Sequence, residues 1–552
     1  MLTSAYPITK LSGLKNNAFI RIFSLGVLGV LAVGFWTYYE LREFRLFPPF
    51  EDAAMLFRYA ENLATGEGIT WNAGEHPGVT DGATDLGFVL VLAPLIRLGL
   101  PVEGAALLIN TLAVFALGAL VGLLSRRLLP LGYLASALIV LLVVNGPLQR
   151  YIPAGFSAPV MGAILLGLLV FTTALLSEAS AKGMRTRFAL LGLLAAAAGW
   201  WRPEGFATSL IVITATAFAC QGKNSRFTLA ELNLRKWIPF AISFFLGVLT
   251  WIAFRLLYFG QLLPTSAVTK GGGGSYHNFT NTLQFYFLLT LPIVAILVST
   301  SLLKKNRAWV FLTTVTVGSF MWIPFTLAAN WWERMQWPLV PALITLGVMI
   351  ASRQRDQINT KDRIPSIQKG AVALTALGAL FSLHVVQGVN FGYHVAQPHT
   401  NIATALERVD TSEVRLATSE AGLIPLAIEG RALDTFGLNN RSIAESGGES
   451  LQEELDRFQP NVLIVQGPTP TDITGKDCRD TDSVADDWRA MALKAFDYAA
   501  KTDMEVVRAI ETGPCLSFLV FTSEETPLLV VEALTSFPAA GGSELVLDRP
   551  AR

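Results

Sequence analysis

Long apolar runs alternate with short polar stretches along most of this chain. The runs lie near residues 19–39, 86–99, 104–124, 131–146, 158–176, 188–201, 203–219, 237–255, 283–302, 309–328, 338–351 and 370–389. A helix needs about 20 apolar residues to cross the hydrocarbon layer of a bilayer. The pattern therefore predicts a polytopic α-helical membrane domain over residues 1–397. Beyond it the period shortens. "VRLATS", "NVLIVQG", "MEVVRAI" and "CLSFLVF" read as strands, and "LQEELDRF" and "DDWRAMALKAFDYAA" as helices. Residues 398–552 are thus expected to form a soluble α/β domain.

Basic residues set the expected orientation. Lys10, Lys15 and Arg21 precede or begin the first run, and Arg353, Arg355, Lys361, Arg363 and Lys369 crowd one later loop. Both clusters belong on the cytoplasmic side. One further run, 370–389, then carries the tail outside. Twelve crossings would return it to the inside, so about eleven are expected, with 86–99 or the pair 188–201/203–219 as the exception. In this orientation the loop 40–85 is external. Within it Ala53, Leu56, Phe57, Ala60, Leu63 and Ala64 recur at helical spacing. Pro48 and Pro49 bound the start of that amphipathic helix, and Gly66 and Gly68 its end.

Composition agrees with a membrane chain. Of 552 residues, 52% are hydrophobic and 15% charged, against about 25% charged in soluble domains. The mean hydropathy is +0.47. A formal net charge of +0 gives no basic footprint for nucleic acid. The three cysteines are Cys220, in an apolar run, and Cys478 and Cys515, both in the tail. A disulfide between the last two and a pair of free thiols are both compatible with that placing.

Polar residues gather where runs meet the predicted external face. Glu51 and Asp52 open the first-loop helix, where the partial positive charge of a helix start stabilises carboxylates. Capping alone accounts for such a pair; a catalytic base would also sit there. Arg58 follows two turns later. "GWWRPEGF" supplies Arg202 and Glu204, "YFGQLLPTSAVTKGGGG" supplies Lys270, and "NWWERMQWPLVPAL" supplies Glu333 and Arg334. Singly, such residues anchor helices at the interface. Together they would make an external pocket with one acidic base and several cations, suited to a phosphate leaving group on a lipid. Gly271–Gly274 lacks the Lys-Ser/Thr of a phosphate-cradling loop, no GxGxxG or Walker pattern occurs, and the histidines show no metal-binding spacing.

The motifs and their order resemble the GT-C superfamily of membrane glycosyltransferases that use polyprenyl-phosphate sugars. They look closest to the branch containing the mycobacterial terminal β-(1→2)-arabinofuranosyltransferase. The first loop carries "EDAAMLFRYAENLATGEGITWNAGEHPGVTDGATDLGF". "RPEG" at Arg202–Gly205, "YFGQLLPTSAVTK" at Tyr258–Lys270, Arg334 before a Pro-xx-Pro run, and "EAGLIPLAIEGRALDTFGLNN" in the tail follow. Glu51 stands where that branch usually has a first Asp. The resemblance implies inverting transfer of a sugar, with arabinofuranose the sharpest guess, from a polyprenyl-phosphate donor to an extracytoplasmic glycan or other envelope acceptor. It places the enzyme in the cytoplasmic membrane, with site and tail on the outer side. It makes Asp52 the base and Glu51 its helper. Arg58, Lys270, Arg202, Arg334 and His76 become candidates for the donor phosphate. Relatives differ in metal use, and no cofactor is implied; a divalent metal has no support in the sequence. The rival expectation is a transporter or flippase of a lipid-linked saccharide, for which internal repeats and midplane charges would speak.

Overall fold

The structure is a computed structural model that describes residues 16–44, 49–75, 81–127, 132–144, 147–177, 183–220, 234–269, 276–299, 308–324, 333–355, 389–469, 486–513, 515–537 and 543–544. The run 370–389 (but for its last residue), Lys10, Lys15, Lys361, Arg363, Lys369, Gly271–Gly274 and Cys478 lie outside these residues. Cys515 is disulfide-bonded and Cys220 is not.

The membrane part contains α1 (Asn16–Phe44), α2 (Glu51–Thr65), α3 (Leu86–Arg97), α4 (Val102–Arg127), α5 (Tyr133–Val143), α6 (Leu148–Ala154), α7 (Ala158–Ser177), α8 (Met184–Trp201), α9 (Gly205–Cys220), α10 (Leu234–Tyr258), α11 (Thr265–Thr269), α12 (Tyr276–Ser299), α13 (Ala308–Phe320) and α14 (Val340–Arg355). Among the described residues four helices are long and apolar enough to cross a membrane: α1, α4, α7 and α10. A fifth span results if α5 and α6, bent by 56°, are counted as one. The run at 86–99 forms only the twelve-residue α3. That is about 18 Å of helix, short of a hydrocarbon core of about 30 Å. The runs split by "RP" form α8 and α9, which pack on one another around that break. Gly205 permits this, since a Cβ there would fall 1.9 Å from the Ala198 carbonyl oxygen.

α7 is central, packing against α4, α8, α9 and α14. α1 and α10 lie outside it and present Phe19, Phe35, Ile242, Phe245 and Leu249, each half or more exposed. Such apolar faces fit lipid contact. α1 can lie close on α4 because Gly118 has no side chain. A Cβ there would meet the Leu25 carbonyl oxygen at 2.3 Å.

The tail begins with α15 (Val389–Leu406) and then forms a six-stranded sheet from β1 (Arg415–Thr418), β2 (Arg431–Asp434), β3 (Val462–Pro468), β4 (Glu505–Gly513), β5 (Leu516–Thr522) and β6 (Ser543–Glu544), in the order β2-β1-β3-β5-β4-β6. β2, β1 and β3 are parallel; the other pairings are antiparallel. Side chains alternate between faces with period two. Leu416, Val462, Ile464, Phe518 and Val520 join the core that runs on into the membrane helices. Ala417, Leu463, Val465, Leu519 and Phe521 join a second core with helices Leu451–Phe458 and Asp486–Lys501. Both faces are therefore buried, as parallel strands require. β2, only four residues long, has no counterpart among the strands expected from the sequence.

Gly118→Val should push α1 off α4 and cost roughly 1–3 kcal/mol, read as a lower thermal midpoint in detergent. Gly34→Val, at a glycine with nothing within 4 Å of a Cβ, should leave the midpoint within experimental scatter.

Candidate active site

The first-loop helix α2 spans Glu51–Thr65 and ends on Gly66, whose φ of 97° suits a residue without a side chain. Its first turn is not capped by its own acids. Phe50, the N-cap residue, makes no side-chain cap. Instead the Glu51 carboxylate accepts the amide of Gly422 and, at 2.9 Å, that of Leu423. The acid thus holds backbone donors of the tail. Gly422 has to be glycine here, because a Cβ would lie 1.8 Å from the Glu51 carbonyl oxygen. Burial pushes the Glu51 carboxyl up; His399 opposes this, Glu420 adds to it, and the two amides pull it back.

Arg58, about two turns further on, is 7% exposed. Its Nε donates to the Trp71 carbonyl at 2.6 Å. Its Nη1 donates to the carbonyls of Pro425 and, at 3.2 Å, Ile428. Its Nη2 donates to Asn72 Oδ1 at 3.3 Å and the Gly430 carbonyl at 3.1 Å. Burial lowers its pKa to about 10, opposed by Glu61 and Glu75. Arg58 is expected from the motif to take a phosphate, but every nitrogen is committed to protein oxygens, so it ties the loop to the tail. Beside it, Asn72 donates to the Ala432 carbonyl at 2.9 Å and accepts the Ala432 amide at 3.0 Å. The side-chain amide pairs with edge strand β2 as a further strand would.

The other motifs serve the same loop. Asp81 pairs with Arg255 and accepts Gln261 Nε2 at 3.0 Å, and its carbonyl accepts the Thr265 amide at 2.7 Å. Ser266 Oγ donates to the Gly82 carbonyl at 2.9 Å. In the tail motif "DTFGLNN", the Asp434 carboxylate accepts the amides of Phe436 and Asn439 and the Asn439 side chain, all within 3.1 Å. Asn439 Oδ1, so fixed, accepts Tyr59 Oη at 2.9 Å.

Asp52 stands apart from these ties. Its side chain is 19% exposed and its Oδ2 lies 2.5 Å from Arg334 Nη2. The Arg334 guanidinium lies over the Phe156 ring, 4.3 Å from its centroid, and its buried Nη1 has no hydrogen-bond partner among the described residues. Glu333, just before it, adopts a φ of 54°, a left-handed conformation uncommon for a non-glycine residue. Arg202 lies 2.6 Å from Glu204 and 3.3 Å from Asp85. Asp85 in turn accepts Ser157 Oγ, which accepts Trp201 Nε1 at 3.3 Å. Of the residues singled out in the sequence, the structure thus brings Asp52 and Arg334 into direct contact, with Glu51 beside them. It places Arg58 and Arg202 in bonded networks. Lys270 and His76 lie outside the described residues.

Three residues near this site carry no sequence signal strong enough to have picked them out. Arg150, on α6, is 1% exposed; its only sign is a charge between two predicted spans. His399 and Glu420 close on Glu51 from the tail. Glu420 follows β1, and the C-terminal ends of parallel strands are where such sheets place ligand-facing groups.

No protein-family model and no curated protein sequence matches this chain. Solved structures do. ArnT from Cupriavidus metallidurans bound to undecaprenyl phosphate aligns with a TM-score of 0.53 and 13% identity over 94% of this chain and 99% of that chain. ArnT from the same organism in the apo state gives 0.52 and 14% over 90% and 97%. The Archaeoglobus fulgidus oligosaccharyltransferase in the apo form gives 0.44 and 13% over 93% and 77%. The chain has the fold of the GT-C glycosyltransferases, a helical membrane part followed by a C-terminal sheet domain.

Arg58→Met should strand several buried carbonyls, at about 1–3 kcal/mol each. Limited proteolysis should then release the tail from the membrane part. Arg58→Lys should fail similarly, since an ammonium lacks the planar fork. A phosphate ligand would behave otherwise: the fold would stay intact and only the KM for donor would rise.

Proposed function

We propose that this protein is an integral-membrane inverting glycosyltransferase that moves a sugar from a polyprenyl-phosphate donor to a hydroxyl of an extracytoplasmic glycan. The observation that carries the reading is the pair Asp52–Arg334. It puts a partly exposed carboxylate in contact with a guanidinium whose buried Nη1 has no hydrogen-bond partner among the described residues. A base and an anion-binding donor in contact are what transfer from a lipid phosphate requires. The GT-C fold and the undecaprenyl phosphate bound in the ArnT structure support the choice of donor.

In this mechanism the acceptor hydroxyl oxygen attacks the anomeric carbon from the face opposite the phosphate. Asp52 takes the hydroxyl proton as the new C–O bond forms. The bond from the anomeric carbon to the phosphate oxygen breaks, and its electron pair leaves with polyprenyl phosphate. Arg334 Nη1 donates to that phosphate as charge gathers on it. Lys270 is a second cation for the same oxygens. Arg202, held by Asp85 and Glu204, shapes the site and adds positive potential. Glu51 positions the turn on which Asp52 sits. The site and the tail face the outside of the cytoplasmic membrane, and arabinofuranose is the donor sugar that the first-loop motif favours.

Asp52→Asn, a near-isosteric change, should reduce sugar transfer from a polyprenyl-phosphate donor by about 10²–10⁴-fold without lowering the thermal midpoint. Arg334→Gln should raise the KM for donor and lower kcat together. Full transfer activity in Asp52→Asn would remove Asp52 as the base. Movement of the lipid-linked sugar across vesicles without transfer would replace the reading with that of a flippase.

A further inference from the structure

Glu51, His399 and Glu420 come from α2, from α15 and from the turn after β1, and one ligand atom of each lies within 4.8 Å of the other two. They are 9%, 2% and 8% exposed. His399 Nε2 stands 2.9 Å from Glu420 Oε2, yet neither ring nitrogen has a well-aligned hydrogen-bond acceptor among the described residues. The oxygen is near enough but lies off the direction of the ring N–H. This is how two ligands of one cation sit. With bonds of about 2.0–2.2 Å, neighbouring donor atoms stand roughly 3 Å apart, and each aims at the ion.

The surrounding contacts prepare the carboxylates for that role. Ser419 Oγ donates to Glu420 Oε1 at 2.9 Å, which leaves Oε2 for the cation. The amides of Gly422 and Leu423 each take one lone pair of Glu51 and orient it. The Phe518 ring, edge-on at 4.9 Å between centroids, fixes the imidazole plane. Such outer contacts orient metal ligands and sharpen affinity. With the imidazole neutral, as a metal ligand must be, the two carboxylates would carry −2, which one divalent cation neutralises. The nearby Asp52 is compensated by Arg334.

We propose that Glu51, His399 and Glu420 form a divalent-cation site that clamps the tail onto the first turn of α2. One imidazole and two carboxylates suit Zn2+ in preference to Mg2+ or Ca2+, which favour all-oxygen shells. Three protein ligands leave a fourth position for water. The site stands independently of the glycosyl-transfer reading, since its evidence is the geometry of the three ligands alone.

The test is metal analysis of the full-length protein purified in detergent without chelators and then titrated with Zn2+ alone. About one Zn2+ per chain is expected, lost on treatment with a strong chelator and regained on titration. Chelation should lower the thermal midpoint of the wild type, and Zn2+ should restore it. His399→Ala and Glu420→Gln should each bind Zn2+ at least about tenfold more weakly, and their midpoints should no longer respond to chelator. The surface variant Glu525→Gln should match wild type. Substoichiometric metal in wild type even after titration would overturn the site. So would equal binding by wild type and His399→Ala, which would mark an adventitious ion only. Should a variant fail to fold, the chelator response of wild type decides: no change in midpoint on removing and restoring Zn2+ overturns the clamp.

Discussion

A charged side chain that leaves water must find its partners inside the fold. α2 buries two such groups, Glu51 and Arg58, and the partners of both lie largely in the tail. Glu51 receives the amides of Gly422 and Leu423; Arg58 fills the carbonyls of Pro425, Ile428 and Gly430. Neither surface is satisfied alone. Without the tail, the first loop would hold a carboxylate without its two amide donors and a guanidinium short of three carbonyl acceptors. Without the loop, the turn at 422–430 would hold bare carbonyls and amides. This mutual need fixes α2 in one position and one rotation.

The fixed rotation singles out Asp52. Glu51 and Arg58 turn into the seam, and the residue between them turns toward Arg334, Phe156 and the ends of the membrane helices. The same logic extends along the loop. Asn72 lies against the edge of β2, Tyr59 reaches Asn439, and Asp81 reaches Arg255. Each contact joins residues far apart in sequence, and each pins a different part of the loop. A loop pinned at so many points presents Asp52 with little freedom, as the proposed base would need.

Much of the fold is legible in local patterning. The spacing of Ala53, Leu56, Phe57 and Ala60 with Gly66 marks α2 almost to its last residue, and period-two runs mark β1, β3, β4 and β5. β2 escapes because "RALD" sits among loop-like neighbours and gains its strand character from pairing with β1. The site is less legible. Asp52 and Arg334 are 282 positions apart, and no local pattern says which of several interfacial arginines will meet the acid. Arg58 lies in a recognisable motif, but a basic residue in a predicted loop reads equally as a phosphate ligand or a tie, and only the folded structure shows its bonds to the tail. His399 gives no sign of its own, because its partners become neighbours only when α15 and the end of β1 fold against α2.

The seam also sets an order of events. Its two sides are separated by 367–372 residues. At about 5–20 residues per second, the ribosome needs roughly 20–70 s between making Arg58 and making its acceptors. During that interval the helices after α2 enter the bilayer while the loop waits unfinished. The working pocket is therefore the last thing the chain assembles. A molecule stopped short of its sheet domain has its membrane helices but no partners for Glu51 and Arg58 in the tail, so completion of the polypeptide is what settles α2.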